Sequence, residues 1–138
     1  MSHIEMQIDS IRTVKKLGTK RLLLLRQKSG DRYLHIYIEA LYADFIMKML
    51  QDQLPFKFID DEVFNKLDRL LDMADSVSLV IDGFEKGIFQ AKLVVDKQGR
   101  SFGIECAVGK ALCLCTKASG HVFVEEGVLE EAGIVAKG

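Results

Sequence analysis

The sequence predicts an α+β fold in which a mixed, largely antiparallel sheet carries helices packed on it. Three observations predict it. Strand-like runs arrive in pairs around short glycine turns ("KLGTK", "EKG", "KQG"), period-two stretches such as "RYLHIYI" give way to stretches of helical period, and each half of the chain runs hairpin, strand, helix. One domain, 1–138, accounts for the length, and a chain of 138 residues is long enough to bury a continuous core.

Residues 4–12, "IEMQIDSIR", alternate as a strand, and Gly18 turns the chain into the apolar run "RLLLLRQ" at 21–27. "SGD" at 29–31 leads into a third strand, where Tyr33, His35 and Tyr37 alternate with Leu34, Ile36 and Ile38. From Glu39 to Gln53 the period becomes helical: Ala43, Ile46, Met47 and Leu50 form one stripe, and Tyr42, Phe45 and Met49 a second face beside it. Such a helix is expected to be covered on two sides. Pro55 ends it, and "IDDEVFNKLDRLLDMA" opens with acids, as a helix N-terminus favours, with Val63, Leu67, Leu70 and Leu71 as its buried stripe. "DSVSLVIDGF" points Val77, Leu79 and Ile81 inward, "IFQAKLVVD" and "RSFGIE" follow as strands, and the chain closes with a helix inside "IECAVGKALCLCTKASG", a strand "HVFV" and an amphipathic helix around Val128, Leu129 and Ala132. Setting "RYLHIYIEALYADFIMKM" above "RSFGIECAVGKALCLCTK" pairs Arg32 with Arg100, Ile36 with Ile104 and Ala43 with Ala111. An internally repeated β-β-β-α unit is therefore a further expectation.

Charges nearly cancel, 19 basic to 20 acidic, so the global balance supplies no attraction to nucleic acid or to a membrane. Locally the chain is polarised. Arg12, Lys15, Lys16, Lys20, Arg21, Arg26, Lys28 and Arg32 face a single acid, Asp31, in the N-terminal hairpin region. That basic cluster reads either as a solvated, aggregation-resistant sheet edge or as a nucleic-acid footprint, with Tyr33 and Tyr37 placed to stack bases. The opening "MSHIEMQIDS" lacks the basic and apolar regions of a secretory signal, and no apolar run approaches the roughly 18 residues of a membrane span. A cytoplasmic protein with no membrane partner is expected, and three cysteines without an export signal read as free thiols.

All three cysteines sit in "IECAVGKALCLCTKASGHVFV". In a helix Cys113 and Cys115 project about 200° apart and cannot share a metal, while Cys106 and Cys113 stand ~10 Å apart along the axis, too far for a disulfide. Burial as small apolar side chains is the reading that the spacing favours. Cys106, where strand meets helix, is the exception, and a Cys106–His121 nucleophile pair is the chemistry it permits. "VGKA" is no phosphate loop, since Ile104 stands where the first glycine belongs and Ala111 where Ser or Thr belongs. The acids at 60–62 cap a helix, or else Asp60 and Asp61 join Glu105 as residual metal ligands.

Three stretches carry a family resemblance. "LHIYIEALYADFIMKML", "LPFKFIDDEVFNKLDRLL" and "IECAVGKALCLCTKASGHVFV" follow, in order and apolar spacing, the patterns L-P-I-W-I-G-x-x-E-A-x-A-I-A, R-P-x-T-H-D before a helix, and I-D-S-R-P-S-D-A-I-x-L-A leading to A-P-I-x-V. The chain thus resembles the bifunctional nuclease family, whose domain was long catalogued only as one of unknown function. The resemblance implies an α+β fold, a homodimer and hydrolysis of RNA and DNA. The polar signature departs from the pattern. The family's glutamate is Tyr42 here, its R-P-x-T-H-D keeps only the final Asp61, and its D-S-R-P-S-D becomes Glu105 to Lys110 with one acid left. Within the internal repeat the two lost acids, at Tyr42 and Lys110, fall at the same place.

The residues admit two functions. One is a nuclease, with Glu105, Asp60 and Asp61 as catalytic residues and a divalent ion (Mg or Mn) as cofactor. The other is a non-catalytic module on the same scaffold that binds nucleic acid, through Lys110, Arg12, Lys15, Lys16, Lys20 and Arg21, or binds a protein partner.

Overall fold

The computed structural model describes residues 2–52 and 62–135. Its strands are β1 (His3–Thr13), β2 (Lys20–Gln27), β3 (Arg32–Glu39), β4 (Ser76–Glu85), β5 (Ile88–Lys97), β6 (Arg100–Ala107), β7 (His121–Glu125) and β8 (Ile134–Val135). Its helices are α1 (Ala40–Leu50), α2 (Glu62–Asp72), α3 (Val108–Lys117) and α4 (Glu126–Ala132), and Lys15–Leu17 form a single 3-10 turn. The strands make one sheet in the order β6-β5-β4-β7-β1-β2-β3-β8. Only the β4–β7 pair is parallel, so the sheet is mixed and largely antiparallel, as expected.

Turn chemistry sets the hairpins. Lys86 and Gly87 join β4 to β5 with φ of 53° and 79°, and Gln98 and Gly99 join β5 to β6 with 52° and 77°. Positive φ at both central residues is the type I′ turn, whose twist matches that of the flanking strands. β3 and β5 then alternate, while β2 and β4 also bury Leu24 and Val80 on the second face. Val77, Leu79 and Ile81 of β4, Leu93 and Val95 of β5 and Leu34, Ile36 and Ile38 of β3 are buried in one core with residues of all four helices. Tyr33, His35 and Tyr37, like Glu5, His121 and Phe123, stand on the opposite face, which no helix among the described residues covers.

The two halves match beyond their order of elements. β1 bulges between Ile8 and Ser10 and β4 between Ile81 and Gly83, so each bulge turns on an aspartate, Asp9 or Asp82. Each aspartate pairs with a cation on the next strand, Arg26 at 3.7 Å and Lys92 at 3.6 Å. Glu39 before α1 and Ala107 before α3 also share backbone angles, φ −61° and ψ 142° against φ −58° and ψ 140°. β7 lies between the halves, antiparallel to β1 and parallel to β4.

α3 is the central helix. Ala111 through Cys115 are all buried, because sheet, α1 and α2 surround it. Gly109 lets its first turn approach closely: a Cβ there would lie 3.3 Å from the Tyr42 ring and 3.6 Å from Ile38. Lys117 pairs with Asp68 to tie α3 to α2, and Arg32 donates to both carboxylate oxygens of Glu126, at 3.1 and 3.4 Å, to tie β3 to α4.

Helical phase is where expectation needs correction. α1 spans Ala40–Leu50 and not Glu39 to Gln53, because Asp52 takes a left-handed φ of 55° and its amide closes on the Met49 carbonyl. Ala43 and Ile46 are buried and Tyr42, Phe45 and Met49 half-buried, whereas Met47 and Leu50 are 38% and 54% exposed, so α1 is covered on one side. In α2 half of the expected stripe holds: Leu71 is buried and Leu67 packs against the core, but Val63 and Leu70 are 58% and 38% exposed and Phe64, outside the expected stripe, is buried. The Phe64 ring, 6.3 Å from Tyr42 and 6.0 Å from Phe45, sets that phase, since one large aromatic buries more area than the valine beside it. β8, a two-residue cap on the β3 edge, has no counterpart in the sequence reading.

Candidate nucleic-acid interface

The basic hairpin adjoins the start of α1, and Gly109, the residue before Lys110, packs against Tyr42 in the first turn of that helix. Strand pairing sets Lys20 opposite Glu39 and Arg21 opposite Ile38, and the Ala40 amide, the first of α1, donates to the Thr19 carbonyl at 2.9 Å. The loop between β1 and β2, with exposed Lys15, Lys16 and Lys20, thus abuts the α1 N-terminus. α1 in turn packs on α3 through the Tyr42–Gly109 contact, which brings Lys110 alongside. Neither helix has a side-chain N-cap hydrogen bond, and neither carries an acid in its first turn. Their amides give two partial positive charges, and Lys110 adds a full one in the first turn of α3. Arg12 is exposed on β1 opposite Leu22, and Arg21 lines a cleft with Asp44 and Lys48.

The acids do not gather there. Glu105 stands on the open face of β6 opposite Lys92, in a cleft that it shares with Asp82 and Gln90. Asp44 lines the separate cleft beside α1. Asp60 and Asp61 lie outside the described residues, as does Pro55. Among the described residues no group of three or more His, Cys, Asp or Glu side chains could hold a metal ion. The described donor set therefore does not fit Mg or Mn, whose coordination is built on several carboxylate oxygens.

The cysteines behave as core residues. Burial raises the Cys115 thiol to about 12, and burial, with Asp68 nearby, pushes Cys113 higher still, so neither is a nucleophile near neutrality. The Cys106–His121 pair is corrected. Their strands, β6 and β7, have β5 and β4 between them, three steps of ~4.8 Å.

His121 has another partner, which sequence reasoning missed. Its Nδ1 lies 2.7 Å from Glu5 Oε2, and Lys28 Nζ donates to the same oxygen at 3.1 Å. The hydrogen bond from His121, then that from Lys28, holds the Glu5 carboxyl below its ordinary value. Nothing local in the sequence signals this cluster, because Glu5 and His121 are 116 positions apart and meet only when β7 pairs with β1.

Comparison with known proteins bears on this geometry. The sequence profile described as the bifunctional nuclease domain matches residues 23–137. Two proteins of Mycobacterium tuberculosis, "Uncharacterized protein Rv1829" of strain H37Rv and "Uncharacterized protein MT1877" of strain CDC 1551, are each 27% identical over 131 residues, covering 95% of this chain and 77% of theirs.

Proposed function

Since the chain belongs to the bifunctional nuclease family, we propose that it acts on RNA or DNA and holds the phosphodiester backbone along the strip from the basic hairpin to Lys110. The observation that carries this reading is the packing of Tyr42 against Gly109, which sets Tyr42 and Lys110, the two places where the family pattern has acids, on neighbouring first turns. A tyrosine and a lysine there exchange a cation's environment for an anion's. Two helix N-termini without side-chain caps and the hairpin lysines extend the positive surface, the usual footprint of phosphate binding. Hydrolysis is the activity that the family's name carries. Glu105, with Asp60 and Asp61, remains the acid set for any metal-assisted step, and on the described residues the binding role is the better supported of the two.

The test is incubation of purified protein with labelled single-stranded RNA and DNA, with and without Mg or Mn, beside binding measured across a salt series. Binding that weakens linearly in log–log with salt is the expected result, with a slope of about −0.7 per phosphate engaged on a single strand. Salt-independent or absent binding would remove the reading.

We also place a second copy of the chain on the outer side of α1, where Leu41, Met47 and Leu50 are exposed over Ile8 and Ile11. Sedimentation is expected to give a dimer, and Leu50→Glu a monomer. A wild-type monomer at tens of micromolar would refute it. The three free thiols suit a reducing compartment, and we assign the protein to the cytoplasm.

A further inference from the structure

We propose that His121, Glu5 and Lys28 form a metal-independent RNA-cleaving site on the open face of the sheet. This rests on the reading that the protein engages nucleic acid, and adds a reaction, a substrate class and its residues. β7, β1 and the end of β2 bring the three side chains together, and the Lys28 amide donates to the Glu5 carbonyl at 3.0 Å to fix the strand end. They also stand at the rim of a cleft of about 480 Å³ whose far wall, with Asp52, Thr116 and Ser119, comes from the ends of the helices on the other side of the sheet.

The proton positions follow from the donors available. An ionised carboxylate only accepts, so in the neutral ring His121 Nδ1 carries the proton that faces Glu5, and the lone pair is on Nε2. The His121 side chain is 64% exposed, and among the described residues its ring is hydrogen-bonded at Nδ1 alone. A ring oriented by a carboxylate through Nδ1, with Nε2 open to solvent, is the arrangement of a general base. Lys28 and His121 share one Glu5 oxygen at 3.1 and 2.7 Å, so Lys28 Nζ stands less than about 6 Å from Nδ1 and less than about 8 Å from Nε2 across the ring, which leaves one phosphate and its attacking hydroxyl within reach of both side chains. Lys28 keeps N–H groups beyond the one used on Glu5, and these can meet charge developing on a phosphate oxygen. Phe123 lies 6.4 Å from the His121 ring on the same face, and Tyr33 with Arg26 lies two strands away, so aromatic surface for bases flanks the cluster.

The step balances without a co-reactant. The ribose 2′-hydroxyl gives its proton to His121 Nε2 as its oxygen attacks phosphorus. The bond from phosphorus to the 5′-oxygen breaks, the leaving alkoxide takes a proton from solvent, and the imidazolium returns its proton to solvent. The products are a 2′,3′-cyclic phosphate and a 5′-hydroxyl end. DNA, with no 2′-hydroxyl, is not a substrate of this step.

The full chain is incubated in EDTA with end-labelled single-stranded RNA and DNA of one sequence. RNA fragments ending in 2′,3′-cyclic phosphate are expected, with DNA intact. His121→Gln is expected to lower the rate by ~10²-fold or more, the usual share of a general base. Glu5→Gln, a change at a positioning residue, is expected to lower kcat with KM unchanged. Circular dichroism checks that each variant is folded. RNA left intact by the wild type, or cleaved by folded His121→Gln at the wild-type rate, overturns the proposal. If intact RNA is still bound with a salt slope, the cleavage site falls and the nucleic-acid reading stands. If RNA and DNA are neither cleaved nor bound, both fall.

Discussion

Leu112→Ala is expected to lower the stability of the domain by ~2–5 kcal/mol, a large part of the ~5–15 kcal/mol that holds a domain of this kind together. Leu112 is fully buried at the middle of α3, between the sheet and α1. Truncation there removes transfer free energy and leaves a cavity that a sheet on one side and helices on the others cannot close. The loss is expected as a lower urea midpoint at unchanged m, with a melting temperature reduced by roughly 3 °C per kcal/mol. Ile88→Ala at the start of β5, where the residue is 68% exposed, provides the contrast, with a change of about 0.5 kcal/mol or less. Equal losses at the two positions would mean that α3 is not the centre of the core.

The elements that the sequence makes legible are those whose information is local. "RYLHIYI" alternates because β3 has one face in the core and one outside it, and the pattern survives unchanged into the structure. "EKG" and "KQG" are readable as turns because Gly87 and Gly99 take a positive φ at no steric cost, while the positive φ of Lys86 and Gln98 before them leaves no sign in the sequence. Helical phase is less legible. Val63 and Phe64 are both apolar neighbours in α2, and the choice between them is made by Tyr42 and Phe45 on another helix. The place of β7 is not local at all: "HVFV" reads as a strand, but its insertion between the two halves depends on β1 and β4 at once. The candidate site divides in the same way. The basic hairpin and Lys110 are visible in the sequence, while their places beside α1 depend on the Thr19–Ala40 hydrogen bond and on Gly109 against Tyr42. Lys92 and Asp82 beside Glu105, and Glu5 beside His121, arise from strand register and leave no signal at any one position.

Reversing charge at Lys110 is expected to have the largest effect on ligand binding. Lys110→Glu places a carboxylate in the first turn of α3, where the helix dipole stabilises it, so the fold tolerates the change while the surface loses its favour for phosphate. Single-stranded oligonucleotide binding at low salt is expected to weaken by about tenfold or more, with the log–log salt slope shallower by one to two phosphate contacts, since one cation is lost and one repulsion is gained. Lys110→Gln, which removes the charge alone, should fall between the two. The pair Tyr42→Glu with Lys110→Asp goes further, because it returns acids to both matched places of the internal repeat, side by side across the α1–α3 contact. Two carboxylates there should repel phosphate and attract a divalent cation, so calorimetry with Mn is expected to show binding that the wild type lacks at the same concentration. If Lys110→Glu leaves both affinity and salt slope unchanged, the phosphate does not sit at the α1–α3 junction, and the hairpin lysines alone would have to account for any binding that remains.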